Sequence, residues 1–276
     1  IMKRYAKNLF AALTIASTIT FVNGQYNDFK TFELNDELTI KEIENDIFLV
    51  IHSFPWAGNS LLVRITQSDF ILVDTPWDNS GTKALLKWLW DKYDDVNLTA
   101  INTHFHRDNL GGNGYLISRN VPVYSSDLTV ELLEMKRDEL KERTLRNLNN
   151  PEYRKYYEVY KHTELKSPDH IFNSSEGLVL HFGDKLVEIF YPGQAHTPDN
   201  IVVYFPKKKV LFAGCMIKSA DTDRIGIQSD ANFNEWPDSA RKLLDRYKEC
   251  RIVVPGHGEW GDLGIIRHTI ELLGQP

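Results

Sequence analysis

The chain has 276 residues, 42% hydrophobic and 25% charged, a balance that can fill the core of one large domain or two small ones and excludes a disordered or fibrous polymer. Its formal charge of −6 disfavours a nucleic-acid partner, since such proteins usually present a basic face. Cys215 and Cys250 are too few for a disulfide framework, although one bridge between them is possible by count.

At the start, Lys3, Arg4 and Lys7 precede an uncharged run from Leu9 to Val22, and Val22-Asn23-Gly24 offers a cleavage region. This pattern predicts a secretory signal peptide over residues 1–24 and a single mature domain over 25–276. The run is short for a bilayer span and no second apolar run follows, so an exported, periplasmic monomer without a membrane anchor is expected. Losing three basic residues and no acid takes the formal charge from −6 to −9.

From Phe32 to Ile65, short apolar runs alternate with turn residues (Leu38 to Ile40, Ile47 to His52, Ser60 to Ile65), predicting antiparallel strands with Pro55-Trp56-Ala57-Gly58-Asn59 at a hairpin tip. Phe70 to Val73 is a further strand ending at Asp74. Thr82 to Tyr93 has helical spacing, and Val96 to Ile101 leads as a strand into a histidine-rich stretch, with a helix from Gly114 to Arg119 behind it. Val121 to Ser125 reads as a strand. A charged helical segment then fills about 128–165, broken at Asn149-Asn150-Pro151, and a packing role is expected for this insertion.

The second half repeats the grammar. Strands are expected over Gly177 to Phe182, Lys185 to Tyr191, Ile201 to Phe205, Val210 to Ala213 and Arg251 to Val254. Helices are expected over Trp236 to Tyr247 and Leu263 to Leu273, and Lys207-Lys208-Lys209 reads as a solvated hairpin tip. Strands alternate with helices and no low-complexity linker intervenes, so one layered α/β domain follows.

The chemistry is concentrated in Thr103-His104-Phe105-His106-Arg107-Asp108-Asn109-Leu110-Gly111-Gly112. In an extended segment alternate residues share a side, so His104, His106 and Asp108 can converge on one small volume. The glycines after them permit a sharp change of direction. A polar loop that happens to hold two histidines is the plain alternative. Three more polar residues, His196, Cys215 and His257, also stand where apolar strand-like runs stop. Four His, one Asp and one Cys exceed one tetrahedral ion but suit two zinc ions with open positions for water. Cys215 acting as a nucleophile beside a histidine is the competing chemistry, and it leaves the other histidines unexplained.

HFHRDNLGG, GQAHTPDN, LFAGCMIKS and VVPGHGEWGD, in this order, resemble the metallo-β-lactamase superfamily, over about Ile47 to His268. Cys215 with Lys218 three residues on resembles more narrowly the dizinc class B β-lactamases of subclass B1. The resemblance implies a four-layer αββα sandwich with two Zn2+ in a groove: His104, His106 and His196 on the first, Asp108, Cys215 and His257 on the second. It implies that a hydroxide shared by the zincs attacks a β-lactam carbonyl, with Asp108 orienting it and Lys218 binding the substrate carboxylate, an activity of antibiotic resistance. A dizinc hydrolase of another ester, lactone or thioester is the alternative on the same fold.

Support roles are expected for Asp74 on the histidine loop and for Thr197 and Asn200 on the His196 loop. Trp56 and Phe54 are expected over the apolar side of a substrate, or as packing. His52, His162, His170, His181 and His268 read as surface or core residues, and Cys250 as a core thiol. Three departures from the resemblance stand out: Ile227 occupies the position where many relatives carry a carbonyl-polarising Asn, the segment from about Arg137 to Leu165 is long, and the early loop around Trp56 is short, which bears on substrate range. Preference among penicillins, cephalosporins and carbapenems depends on loop shapes.

Overall fold

A computed structural model describes residues 15–22, 25–226 and 228–274. Two sheets face each other. The nine-stranded sheet runs in chain order through β1 (Ile15–Val22), β2 (Gln25–Asn35), β3 (Leu38–Glu44), β4 (Ile47–Ser53), β5 (Ala57–Arg64), β6 (Asp69–Val73), β7 (Asn97–Ile101), β8 (Val123–Ser126) and β9 (His170–Phe172). It is antiparallel up to β6 and parallel from β6 to β9. The five-stranded sheet contains β10 (Leu178–Phe182), β11 (Lys185–Phe190), β12 (Val202–Phe205), β13 (Val210–Gly214) and β14 (Ile252–Pro255). Its last pair, β13 and β14, is parallel.

Strand alternation builds the layers. Leu49, Leu61, Val63, Ile71 and Val73 point from the first sheet into a core shared with Val187, Ile189, Val203, Phe212 and Val254 of the second. Their neighbours Phe48, Val50, Leu62, Phe70 and Leu72 face the other way, onto Leu85, Leu86, Trp88 and Leu89 of α1 (Asn79–Lys92) and Leu116 of α3 (Asn113–Ser118). On the far face of the second sheet, Val202, Leu211 and Val253 meet Trp236, Ala240 and Leu243 of α6 (Trp236–Arg246) and Ile265 and Ile266 of α7 (Gly264–Leu273). The architecture is therefore an αββα sandwich, as expected.

Between α1 and α3 lies one turn of helix, α2 (Arg107–Leu110), inside the histidine stretch. The insertion folds as α4 (Asp127–Leu148), a 3-10 turn at Pro151–Tyr153 and α5 (Arg154–Lys161). Its start is capped by Ser126, whose hydroxyl oxygen accepts from the Thr129 N–H at 3.2 Å. Leu133 and Leu140 of α4, with Leu165, bury Phe105 and Leu110 of the histidine stretch. The insertion thus sits directly on the segment richest in chemistry.

Three strands, β1, β2 and β9, extend beyond the strands read from sequence. β9 is only three residues long and largely exposed, so its pattern carries no periodic signal. The expected leader lies outside the described residues apart from β1, and Ile227 lies outside them altogether. Among the described residues no helix is long and apolar enough to cross a membrane.

Candidate metal centre

All the ligand-type side chains come from the C-terminal ends of strands. His104, His106 and Asp108 follow β7, His196 follows β11, Cys215 follows β13, and His257 follows β14. Strands of the two sheets end at one rim of the sandwich, so residues up to about 150 positions apart meet there. Ligand atoms of His104, His106 and His196 lie within 4.8 Å of one another, as do those of His104, Asp108 and Cys215. His196 Nε2 stands 3.3 Å from His106 Nδ1. Asp108 Oδ2 stands 3.6 Å from Cys215 Sγ and 3.1 Å from His257 Nε2, which brings His257 into the second group.

The surroundings hold this set in place. Asp74, fully buried with φ +56°, accepts from the Thr103 N–H and from its hydroxyl, both at 2.7 Å. The Thr103 carbonyl accepts the Ile201 N–H at 3.0 Å, tying the histidine stretch to the His196 loop. That loop is closed by the Asn200 side-chain oxygen, which accepts the Thr197 N–H at 2.7 Å. Thr197 contributes its backbone, not its hydroxyl, which has no partner among the described residues. His257 Nδ1 is 2.7 Å from the Ala57 carbonyl of β5; donating there fixes the tautomer that leaves Nε2 free to ligate.

Glycines make room. Gly111 and Gly112 have ordinary helical dihedrals, so turning freedom is not their role. A Cβ on Gly111 would lie 1.9 Å from the Trp77 carbonyl oxygen, and one on Gly112 would lie 1.9 Å from Thr82 Oγ1. Close approach, and not conformation, requires them. Gly214 does need its left-handed φ of +58°, which turns the chain out of β13 just before Cys215.

Electrostatics follow from burial. Burial opposes ionisation of Asp108, yet His257, His104 and His106 hold its carboxyl well below the usual range. Burial pushes His104 and His196 well below theirs, so both are neutral, the form that binds a metal. The donor set of neutral imidazoles, one carboxylate and a thiol fits zinc better than an ion that prefers an all-oxygen shell.

Sequence reading did not find the next layer. His106 Nε2 lies 3.0 Å from Asp230 Oδ2, and Asp230 is clamped by Lys136 Nζ at 2.6 Å and Arg143 Nη2 at 2.8 Å. Both cations stand on α4. Their charge and the His106 hydrogen bond outweigh burial and keep the Asp230 carboxyl far below its ordinary pKa. Arg107 was also missed. Its guanidinium lies 4.3 Å from the Trp77 ring centroid, 4.8 Å from Tyr160 of α5 and 5.8 Å from Trp56. Nη1 has no hydrogen-bond partner among the described residues.

Arg107, Arg143, Trp56 and Trp77 line a cleft of about 560 Å³ with His106, Asp108, His196, Cys215 and His257 at its floor. Lys218 lines it too, half-buried, with Nζ donating to the Cys215 carbonyl at 3.0 Å. Trp56 stands on the rim, 40% exposed, whereas Phe54 is buried against His52 and Tyr156 and belongs to packing. The expectation that the insertion only packs is corrected: Leu140, Arg143, Thr144 and Asn147 of α4 form one wall of the cleft. Cys215 and Cys250 are both buried free thiols, so no bridge joins them.

Comparison with known proteins agrees with this geometry. The profile of the metallo-beta-lactamase superfamily matches residues 53–257, spanning every ligand-type residue described above. The chain belongs to the metallo-β-lactamase superfamily. Among superfamily members it is 36% identical over 240 residues to the metallo-beta-lactamase type 2 of Bacillus cereus, covering 86% of this chain and 82% of the relative. A protein of the same name from Bacillus sp. (strain 170) is 36% identical over 212 residues, 77% of this chain and 71% of the relative. The crystal structure of VMB-1 superimposes with a TM-score of 0.70 at 32% identity, covering 87% of this chain and 97% of that one. A metallo-beta-lactamase from Pontibacter korlensis gives 0.68 at 27% identity, with 90% and 100% covered.

Proposed function

We propose that this protein is an exported, monomeric dizinc β-lactamase of the B1 type. The observation that carries the reading is the pair of adjoining ligand groups on the cleft floor, one all-histidine and one containing Asp108 and Cys215, with Lys218 on the wall beside them. His104, His106 and His196 would hold the first zinc, and Asp108, Cys215 and His257 the second. Zinc bound there supplies a Lewis acid for a carbonyl oxygen and brings the pKa of water towards neutrality.

The chain's own residues then divide the remaining work. Opening a lactam breaks the bond from carbonyl carbon to nitrogen, adds hydroxide to the carbon and a proton to the nitrogen, with one water consumed. Asp108 orients the attacking oxygen, because its carboxylate sits in the ligand group that shares His104 with the all-histidine group. Lys218 is already bound to the Cys215 carbonyl, so its ammonium meets a substrate carboxylate from a fixed position, as a point charge. Trp56 covers the apolar side of the substrate from the rim. Asp74, Thr197 and Asn200 keep the ligand loops from relaxing.

A nitrocefin assay on the zinc-loaded protein tests this. Hydrolysis that a chelator abolishes and zinc restores is expected. No hydrolysis at two zincs per chain would falsify the lactamase reading and favour the dizinc hydrolase of another ester, lactone or thioester.

A further inference from the structure

The lactamase reading leaves one conspicuous charge without a task. Arg107 is 5% exposed and stands on the wall of the cleft between two residues of the ligand stretch, His106 and Asp108. Three aromatic faces hold it: Trp56 of the β4–β5 hairpin tip, Trp77 of the loop before α1, and Tyr160 of α5. Ring faces attract the cation but accept none of its N–H groups in the plane of the fork, and Nη1 ends in no acceptor. The adjacent carboxylate that acts on it is Asp108, whose charge a bound metal would take up. An arginine guanidinium keeps its charge at neutral pH.

A buried guanidinium with an unused donor is costly unless something satisfies it. Trp56 is 40% exposed, so it is the one member of the cage that can swing aside and let a ligand reach Arg107. Lys218 lies elsewhere on the same wall system and is taken up by the carboxylate common to bicyclic β-lactams in the function proposed above. We infer that Arg107, roofed by Trp56 and Tyr160, is a second anion-binding subsite that selects β-lactams carrying an additional negative charge on the side chain. This inference rests on the lactamase reading. The insertion is part of it, because Tyr160 is supplied by α5 and is itself buried.

The test compares carbenicillin with benzylpenicillin, which differ by one side-chain carboxylate, on zinc-loaded protein. The quantity read is the ratio of their kcat/KM values in wild type, Arg107→Gln and Arg107→Lys. Losing a charge-assisted forked hydrogen bond should lower the carbenicillin to benzylpenicillin ratio about tenfold in Arg107→Gln. Arg107→Lys keeps the charge without the fork, and about a threefold loss is expected there. A ratio within twofold of wild type in the soluble variants overturns the subsite, since a purely structural Arg107 would change both penicillins alike. If wild type hydrolyses neither penicillin, the lactamase reading has failed, and tryptophan fluorescence titrations with the same two compounds still report on Arg107. Tighter carbenicillin binding that Arg107→Gln removes supports the subsite, and equal binding overturns it.

Discussion

The floor and the roof of the cleft are held by different forces. The floor is made of strand ends tied by short hydrogen bonds between buried groups, such as Asp74 with Thr103 and Asn200 with Thr197, while His196 Nδ1 has no hydrogen-bond partner among the described residues. The roof is a helical pair held by a small leucine cluster, the Lys136 and Arg143 ion pairs to Asp230, and aromatic contacts around Arg107. Buried hydrogen-bonded pairs over-determine a geometry, whereas partly exposed pairs and ring contacts contribute less and yield more easily. The lesson is a division of labour: the floor fixes where ligands meet, and the roof adjusts what may lie over them.

The largest expected effect lies on the floor. Cys215→Ser should remove the zinc proposed at the Asp108 group and lower turnover by about 100-fold or more, as loss of a ligand exceeds loss of an outer partner. Zinc content and steady-state rates check it, and equal values would take Cys215 out of the site. Next comes Asp74→Ala, which strands the Thr103 donors in a dry core and leaves a non-glycine residue at φ +56° without its local hydrogen bonds. A loss of about 3 kcal/mol in denaturant unfolding is expected.

The roof should respond more mildly. Arg143→Ala leaves Asp230 with Lys136 and His106, so zinc affinity at the first group should fall by about tenfold or less. Competition with a chromophoric chelator measures it, and the melting temperature of the metal-free protein should barely move. A loss as large as that of Cys215→Ser would erase the distinction between the two regions.

Strand ends were legible in the sequence because a period of two, interrupted by polar residues, has few other meanings. Val96 to Ile101 followed by His104, His106 and Asp108 is such a signal, and β7 ends at Ile101. Asp230, 124 positions from His106, had none, nor did Lys136, 94 positions from Asp230. An isolated acid or lysine on a charged helix looks like any solvated residue until its partner is beside it. Arg107 carries no local signal either, since nothing near it in the chain announces that Trp56, Trp77 and Tyr160 surround it.

By itself the sequence determined the layered α/β fold, through local periodicity, and the identity of the residues able to ligate metal, through side-chain chemistry at strand ends. Only the tertiary structure decided that α4 and α5 wall the cleft, that Asp230 backs His106, and that a guanidinium lies under three rings. Those are contacts between distant segments, set by how two sheets and an inserted helical pair pack, and packing leaves no periodic mark on the chain.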